Sequence, residues 1–246
     1  EMRRTGMRVD PVERERHRVR LAAAADAAVM RVHAAAGRAV NPASPDQVRN
    51  WLFDECGIAR SSIDTDAGEP STNKSALYEL LTRALPPNVT AFIDALLDHR
   101  RAEKMLSTFV VAAEPGRDGR VQPTWNPTTV VTGRMSSSDP CVNNIPATKD
   151  DPDSLRSMYV AAPGNVLVAA DLEQVELRVV AALSGDNVWL DAFRRGLDVH
   201  RVNAAAFFGD RYDDIPKWKR SFAKNFTYRL LYGGGPQKAC EQMRLV

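Results

Sequence analysis

The sequence predicts an α+β fold, and three observations predict it. Apolar residues recur at helical spacing through most of the first 112 positions. From about residue 115 the period changes to short β-branched runs broken by Gly and Pro. After Asp171 helical spacing returns and persists to a terminal Gly-rich stop. The 246 residues are 44% hydrophobic and 26% charged, enough to bury a sizeable core in one or two domains.

The elements follow in order. Residues 11–36 predict one long Ala-rich helix, with Pro11 suited to the first turn and Gly37 with Asn41-Pro42 to the stop. Ser44 caps a second helix, Pro45 fits its first position and Gln47 completes a capping box; Val48, Trp51, Leu52 and Cys56 form its apolar stripe, ended by Gly57. Residues 59–73 predict a polar loop, and helices are expected near 74–85 and 88–112, split by Pro86-Pro87. VQPTW and TTVVT, after the turn at 115–120, predict short strands, and residues 133–153 predict irregular structure. VLVAAD (166–171) predicts a buried strand ending in a carboxylate, and VELRVVAALS a helix. The last helix is expected from about Pro216 to Tyr232, capped by Asp213 or Asp214 and closed by Gly233-Gly234-Gly235.

Charge and cysteines narrow the function. Net charge is only +2, yet from Pro216 onward seven Lys and Arg stand against Glu241 alone, a local basic excess. Cys56, Cys141 and Cys240 are scattered, without the spacing of a zinc site, and fit a reducing cytoplasm. No apolar run is long enough to span a bilayer, and the first residues lack the apolar core of a signal peptide. The chain opens on Glu1 in mid-pattern, so its natural start is expected upstream.

Three elements carry chemistry. On the last helix Arg220, Lys224, Tyr228 and Tyr232 recur every fourth residue, one slowly drifting stripe of roughly 18 Å. Cations lie first, at the positive end of the helix dipole, and aromatics second, an order that fits the phosphates and then the base of a nucleoside triphosphate. A solvated cationic face with two half-buried tyrosines is the competing reading. In DLEQVELR (171–178), Asp171 stands where a rigid carboxylate suits Mg²⁺, a cation that prefers oxygen donors; it could equally cap the next helix. TGRMSSSDPCVNNIP (132–146) offers one cation, hydroxyls and amides for phosphate and minor-groove contacts, or forms an ordinary polar loop.

Together, and in this order, the three elements resemble the motifs of family A DNA polymerases, the bacterial DNA polymerase I type. R-x-x-x-K, seven residues, then Y-G (Arg220, Lys224, Tyr232, Gly233) has the spacing of the fingers-helix motif, which chance supplies at about 10⁻⁵ per start site. DLEQVELR is similar to the family's D-Y-S-Q-I-E-L-R, and TGRMSSSDPCVNNIP to its T-G-R-L-S-S-x-x-P-N-L-Q-N-I-P. RAEKMLSTFV with GRDGRVQPTWN resembles the thumb-to-palm passage, and EMRRTGMRVD the helix that opens the polymerase domain.

The resemblance implies a truncated right-hand architecture: an opening palm/thumb segment (1–37), a helical thumb (38–114), part of a palm sheet (115–185) and part of helical fingers (186–246). It implies template-directed DNA synthesis by two-metal phosphoryl transfer. Asp171 would bind two Mg²⁺ ions with the Leu172 carbonyl assisting, and Glu176 would crowd the sugar 2′ position. Arg220, Lys224 and the nearby His200 would hold the triphosphate. Tyr228 would stack on sugar and base, and Tyr232 would sit beside the templating position. Arg134, Asn143 and Asn144 would contact primer–template DNA. The implied partners are primer–template DNA and deoxynucleoside triphosphates, the expected state is a cytoplasmic monomer, and no membrane is involved.

The sequence also departs from the family pattern. Tyr228 stands where the family often has Phe, which implies acceptance of dideoxynucleotides; Arg229 replaces a usual Gly, Glu173 a small residue, and Cys141 and Val142 replace Asn and Leu. These fit a phage lineage. No His-Asp-Glu string occurs before Val246, so the second metal carboxylate is expected beyond it and this chain alone is expected to be inactive. A single-subunit RNA polymerase shares the architecture, but Glu176 as a sugar gate argues against it. A non-catalytic nucleic-acid-binding remnant is the remaining alternative.

Overall fold

The structure, a computed structural model of the chain, describes residues 2–146 and 153–235. Cys240 and the basic residues Lys238 and Arg244 lie outside these. The chain forms two compact units, Glu1–Leu167 and Val168–Val246.

In the first unit a single turn, α1 (Met2–Thr5), leads into strand β1 (Met7–Val9) and then α2 (Pro11–Ala36). The Asp10 carboxylate caps α2 by accepting from the Val12 and Glu13 N–H groups, and Gly37 closes it in the left-handed region at φ 70°. His17, Leu21, Ala25, Ala28 and Val32 form its buried stripe. Helix α3 (Pro45–Arg49) runs on as π-helix through Asn50–Glu55. Ser44 caps it as expected, but the capping box does not close. The Gln47 Oε1 accepts from the Asn41 N–H at 2.8 Å, and the Ser44 N–H turns to the Asn41 carbonyl instead.

Helices α4 (Lys74–Leu81) and α5 (Pro87–Met105) complete this bundle, and α5 continues as π-helix through Leu106–Val111. Trp51 stacks on Phe92 with ring centroids 3.9 Å apart, among Val32, Val48, Leu52, Leu77, Leu80, Ile93 and Leu96. Each such large side chain stabilises by about 1.5–3 kcal/mol when fully buried.

Strands β2 (Arg120–Val121), β3 (Thr124–Asn126), β4 (Ser136–Ser138) and β5 (Tyr159–Val160) follow. β1 is the centre of an antiparallel sheet of order β2-β1-β5, with Met7 opposite Val121 and Val9 opposite Tyr159. Val9, Val121, Met158 and Ala113 pack beneath it. β3 and β4 pair as a hairpin with Trp125 opposite Ser137. TTVVT is therefore not a strand: residues 128–132 are bends and turns in the hairpin connection, and Val131 is fully exposed. The partner strand comes instead from the serines of the segment expected to be irregular, because their short side chains fit against β3 and their hydroxyls bond within the hairpin.

The expected strand at 166–171 is also absent. Val166, Leu167 and Val168 are 82%, 71% and 87% exposed, and no described segment pairs with them. An apolar run becomes a strand only where a neighbour takes up its backbone hydrogen bonds.

The second unit is helical: α6 (Val175–Ser184), α7 (Asn187–Arg194), α8 (Val199–Phe208) and α9 (Lys217–Leu231). Leu177, Ala192 and Val199 form one core with Trp189, Phe193 and Tyr228, and Ala204, Ile215 and Ala223 form another between α8 and α9. Neither Asp213 nor Asp214 caps α9. Both sit in a 3-10 turn (Tyr212–Asp214), and Pro216 occupies the cap without a side-chain bond.

Candidate active site

Helix α9 presents the stripe that the spacing predicts. Buried Ala223 and Thr227 face α8, which turns Arg220, Lys224 and Tyr228 to the flank of that seam. Lys224 is exposed, Tyr228 half-buried, and Tyr232, the residue that closes α9, is exposed.

Asp198 organises the cationic end. It caps α8, its Oδ1 accepting from the His200 N–H at 2.9 Å and more weakly from Arg201. Its Oδ2 accepts from the Arg220 Nε–H at 2.6 Å. Burial works against the carboxylate, but the Arg220 hydrogen bond and charge, joined by the two backbone N–H groups, hold its pKa below the usual carboxylate value.

His200, behind this pair, is buried and its Nδ1 has no hydrogen-bond partner. Burial lowers its pKa; Asp198 opposes this, and Arg220 and Lys224 reinforce it. The ring is therefore neutral at pH 7, 5.7 Å from the Tyr228 ring. Arg220, Lys224 and Tyr228 thus lie along one side of the α8–α9 pair, with the buried His200 ring beneath them.

Asp171 is exposed, three residues ahead of a left-handed Gln174 (φ 51°) that turns the chain into α6. The Leu172 carbonyl accepts only a long bond from the Val175 N–H, 3.4 Å. Glu176 lies in the first turn of α6, half-buried and bonded. Among the described residues no group of three or more His, Cys, Asp and Glu stands together.

The remaining predicted residues lie in the first unit. Arg134 is exposed in the hairpin connection. Asn143 ties its own loop: its Oδ1 accepts from the buried Ser137 hydroxyl, its Nδ2 donates to the Met135 carbonyl at 3.1 Å, and its backbone N–H donates back to Ser137. Asn144 opens instead onto a cleft of about 820 Å³ lined by Lys74, Arg100, Arg101 and Lys104, with Asp98 the one acidic side chain among the described residues that line it. These cations escaped the sequence reading. Their signal was Arg101 and Lys104 on the exposed side of α5, with the half-buried Arg100 donating to the Thr72 carbonyl beside them, which the chain's near-neutral total charge conceals.

The model of DNA polymerase family A matches residues 13–245. The chain belongs to DNA polymerase family A. It is 37% identical over 202 residues to DNA polymerase I of Pseudomonas aeruginosa, covering 80% of this chain and 21% of that protein. It is 33% identical over 213 residues to the thermostable DNA polymerase I of Thermus aquaticus, covering 85% and 25%. Among solved structures it is similar to the polymerase domain of Pol1 from M. smegmatis in complex with DNA primer-template and dNTP. The TM-score is 0.86 at 29% identity, over 100% of this chain and 42% of that one. The chain thus spans about a quarter of the length of the curated family A relatives it matches. Its mixed helix-and-sheet fold is that of a family A polymerase domain. No helix among the described residues is long and apolar enough to cross a membrane.

Proposed function

We propose that this chain selects the nucleotide and holds the duplex for template-directed DNA synthesis, the transfer of a deoxynucleotide to a primer 3′-hydroxyl. One observation carries the reading. A single helix face presents Arg220, Lys224, Tyr228 and Tyr232 in that order, with a neutral His200 beside the first cations. Cations at the N-terminal end suit the triphosphate, and rings at the other end suit the base.

The finer roles follow from the family resemblance. Residues 1–37 open the polymerase domain, 38–114 form the thumb, 115–185 part of the palm and 186–246 part of the fingers. Glu176 crowds the sugar 2′ position, and Tyr232 borders the templating base. Arg134 and Asn144 meet the duplex, where Lys74, Arg100, Arg101 and Lys104 add the positive charge that a phosphate backbone requires. Asn143 acts by fixing the loop that carries Asn144.

The Asp171 carboxylate and the Leu172 carbonyl are hard oxygen donors that fit Mg²⁺ and contribute part of its shell. When bound, the metal offsets charge on the attacking and leaving oxygens. The bond from the α-phosphorus to the pyrophosphate oxygen breaks as the bond to the primer oxygen forms, and the primer hydroxyl gives up its proton to solvent water. Arg220 and Lys224 hold the charge that accumulates on the leaving side. The protein works as a monomer in the cytoplasm of a bacterium or phage-infected cell; among the described residues Cys56 and Cys141 are free, which fits that reducing compartment.

Primer extension by the full-length protein with Mg²⁺ and four deoxynucleotides tests the reading. Asp171→Ala should abolish extension and leave duplex affinity intact, and Arg220→Ala should raise the nucleotide KM. Duplex binding with no extension by the wild type would make the protein a non-catalytic binder. Extension indifferent to Asp171 would overturn the metal assignment.

A further inference from the structure

We infer that Asp198 is a positioning residue that aims the Arg220 guanidinium at the incoming triphosphate, an inference that rests on the nucleotide site proposed above. The geometry begins with which nitrogen is held. Asp198 engages Nε, the inner nitrogen of the guanidinium, at 2.6 Å. The two terminal nitrogens, a planar fork matched to two phosphate oxygens, are not used by this bond. Arg220 keeps 38% of its side chain exposed and Asp198 24%, so a ligand can reach the pair from solvent.

The carboxylate is itself fixed on every side. Its Oδ1 is held by the first N–H groups of α8, and the Asp198 N–H donates to the Tyr212 hydroxyl at 3.0 Å. Tyr212 lies under the Arg201 guanidinium at 5.2 Å, and Arg201 donates to the carbonyls of Asp213 and Ile215. The turn leading into α9 is thereby bolted to α8.

This bolting also separates aiming from mere stabilisation. α8 and α9 are already joined by the Ala204–Ile215–Ala223 core and by the Asn203–Thr227 hydrogen bond. A half-exposed ion pair adds little stability to a joint so secured. What Asp198 adds is direction: without it the long Arg220 side chain samples several rotamers, and each binding event must order it again.

The test uses Asp198→Asn in the full-length protein, because Asn caps a helix as well as Asp and the α8 start survives. The nucleotide KM and kcat for primer extension are measured in wild type, Asp198→Asn, Arg220→Ala and the double variant, with thermal melts of each. The expected result is a KM raised about 3- to 10-fold in Asp198→Asn, with a smaller change in kcat and an unchanged melting midpoint. In the Arg220→Ala background the same substitution should change KM less than about twofold, since no fork remains to be aimed. An equal KM penalty in both backgrounds, or none in the wild-type background while Arg220→Ala is impaired, overturns the inference and leaves the nucleotide site standing. An Arg220→Ala protein with unaltered KM overturns the nucleotide site and this inference with it. If Asp198→Asn melts low, Arg201→Ala, which loosens the same turn without touching Arg220, supplies the comparison. A KM rise in Arg201→Ala as large as in Asp198→Asn would assign the effect to the fold.

Discussion

The Asn203 side-chain amide donates to the Thr227 hydroxyl across 3.0 Å, and its carbonyl accepts from the Trp189 indole N–H at 2.9 Å. One buried amide therefore joins α7, α8 and α9, the three helices that frame the nucleotide stripe. Asn203→Leu would leave the Trp189 indole N–H without its acceptor and the Thr227 hydroxyl oxygen without its donor, a loss of about 2 kcal/mol. Urea unfolding should show it as a lower midpoint, whereas Thr227→Val, which strands only half of the amide, should cost less. Equal stability of Asn203→Leu and wild type would show that the network is dispensable.

Acid should weaken the fold in two stages. His17, His99 and His200 all have pKa values lowered from 6.5, each chiefly by burial. A histidine whose folded pKa is depressed takes up its proton more readily when unfolded. Its contribution to stability is complete above about pH 6.5 and is lost as pH falls through the folded value. The Glu79 carboxylate is lowered from 4.5, chiefly by its hydrogen bond from Ser62, so its share is lost only at more acidic pH. Melting midpoints should thus fall already between pH 6.5 and 5, and His17→Gln should shrink that fall. A flat profile over this interval would contradict the neutral, buried state of the three rings.

Some of this was legible in the sequence, and the reasons are physical. The α9 stripe and the stop at Gly233 depend on residues a few positions apart, and local spacing reports local geometry. The strand expected at 166–171 failed because pairing is a property of two segments, and Val166 to Val168 alone could not disclose a missing neighbour. That Asn143 ties its own loop through the Ser137 hydroxyl was not legible, because the partners of an amide in a polar loop depend on how the whole loop folds. α7 and α8 carry sound caps in Asp186 and Asp198, but an Asp before a short helix is indistinguishable in sequence from an Asp in a polar loop.

Gly234 carries a consequence of Arg229, the arginine that stands where the family usually has glycine. A side chain on Gly234 would collide with the Arg229 Cγ and lie 2.8 Å from its carbonyl oxygen. The Arg229 stem thus occupies the space beside the helix end, and Gly234 donates its N–H to the Arg229 carbonyl at 2.8 Å. Gly234→Ala should destabilise the second unit by about 1–2 kcal/mol through overpacking. In an Arg229→Gly background the cost should fall, because only the carbonyl contact remains. A double-mutant cycle on thermal unfolding measures the difference, and perfect additivity would refute the contact.

The basic cleft beside Asn144 makes a salt-dependent prediction. Each Lys or Arg that neutralises a phosphate contributes about 0.9 to the slope of log affinity against log salt concentration. Lys104→Ala and Arg101→Ala should each weaken primer–template binding about equally for every duplex sequence and flatten that slope by about one unit. Lys219→Ala, whose cation is already paired with Asp210, should leave the slope unchanged. Fluorescence anisotropy across a salt series reads both; a cleft variant with the wild-type slope would remove the cleft from the duplex path.

Tyr228 offers the sharpest chemical test, because its ring and its hydroxyl can be separated. The ring packs with Leu177, Ala192 and Val199 and sits 5.7 Å from the His200 ring, so phenylalanine should occupy the same place. Tyr228→Phe therefore removes one polar group, at the sugar in the nucleotide site proposed above, and leaves the packing alone. A 2′,3′-dideoxynucleotide lacks the 3′-hydroxyl, and a tyrosine hydroxyl at the sugar substitutes for part of the missing polar contact. The full-length wild type should accept dideoxynucleotides readily, and Tyr228→Phe should raise its preference for deoxynucleotides at least about tenfold, a difference of roughly 1.4 kcal/mol in transition-state binding. Competitive incorporation from equimolar mixtures gives the ratio directly. A ratio unchanged by the substitution would mean that the Tyr228 hydroxyl does not face the sugar, and the aromatic half of the α9 stripe would have to be assigned to the base alone.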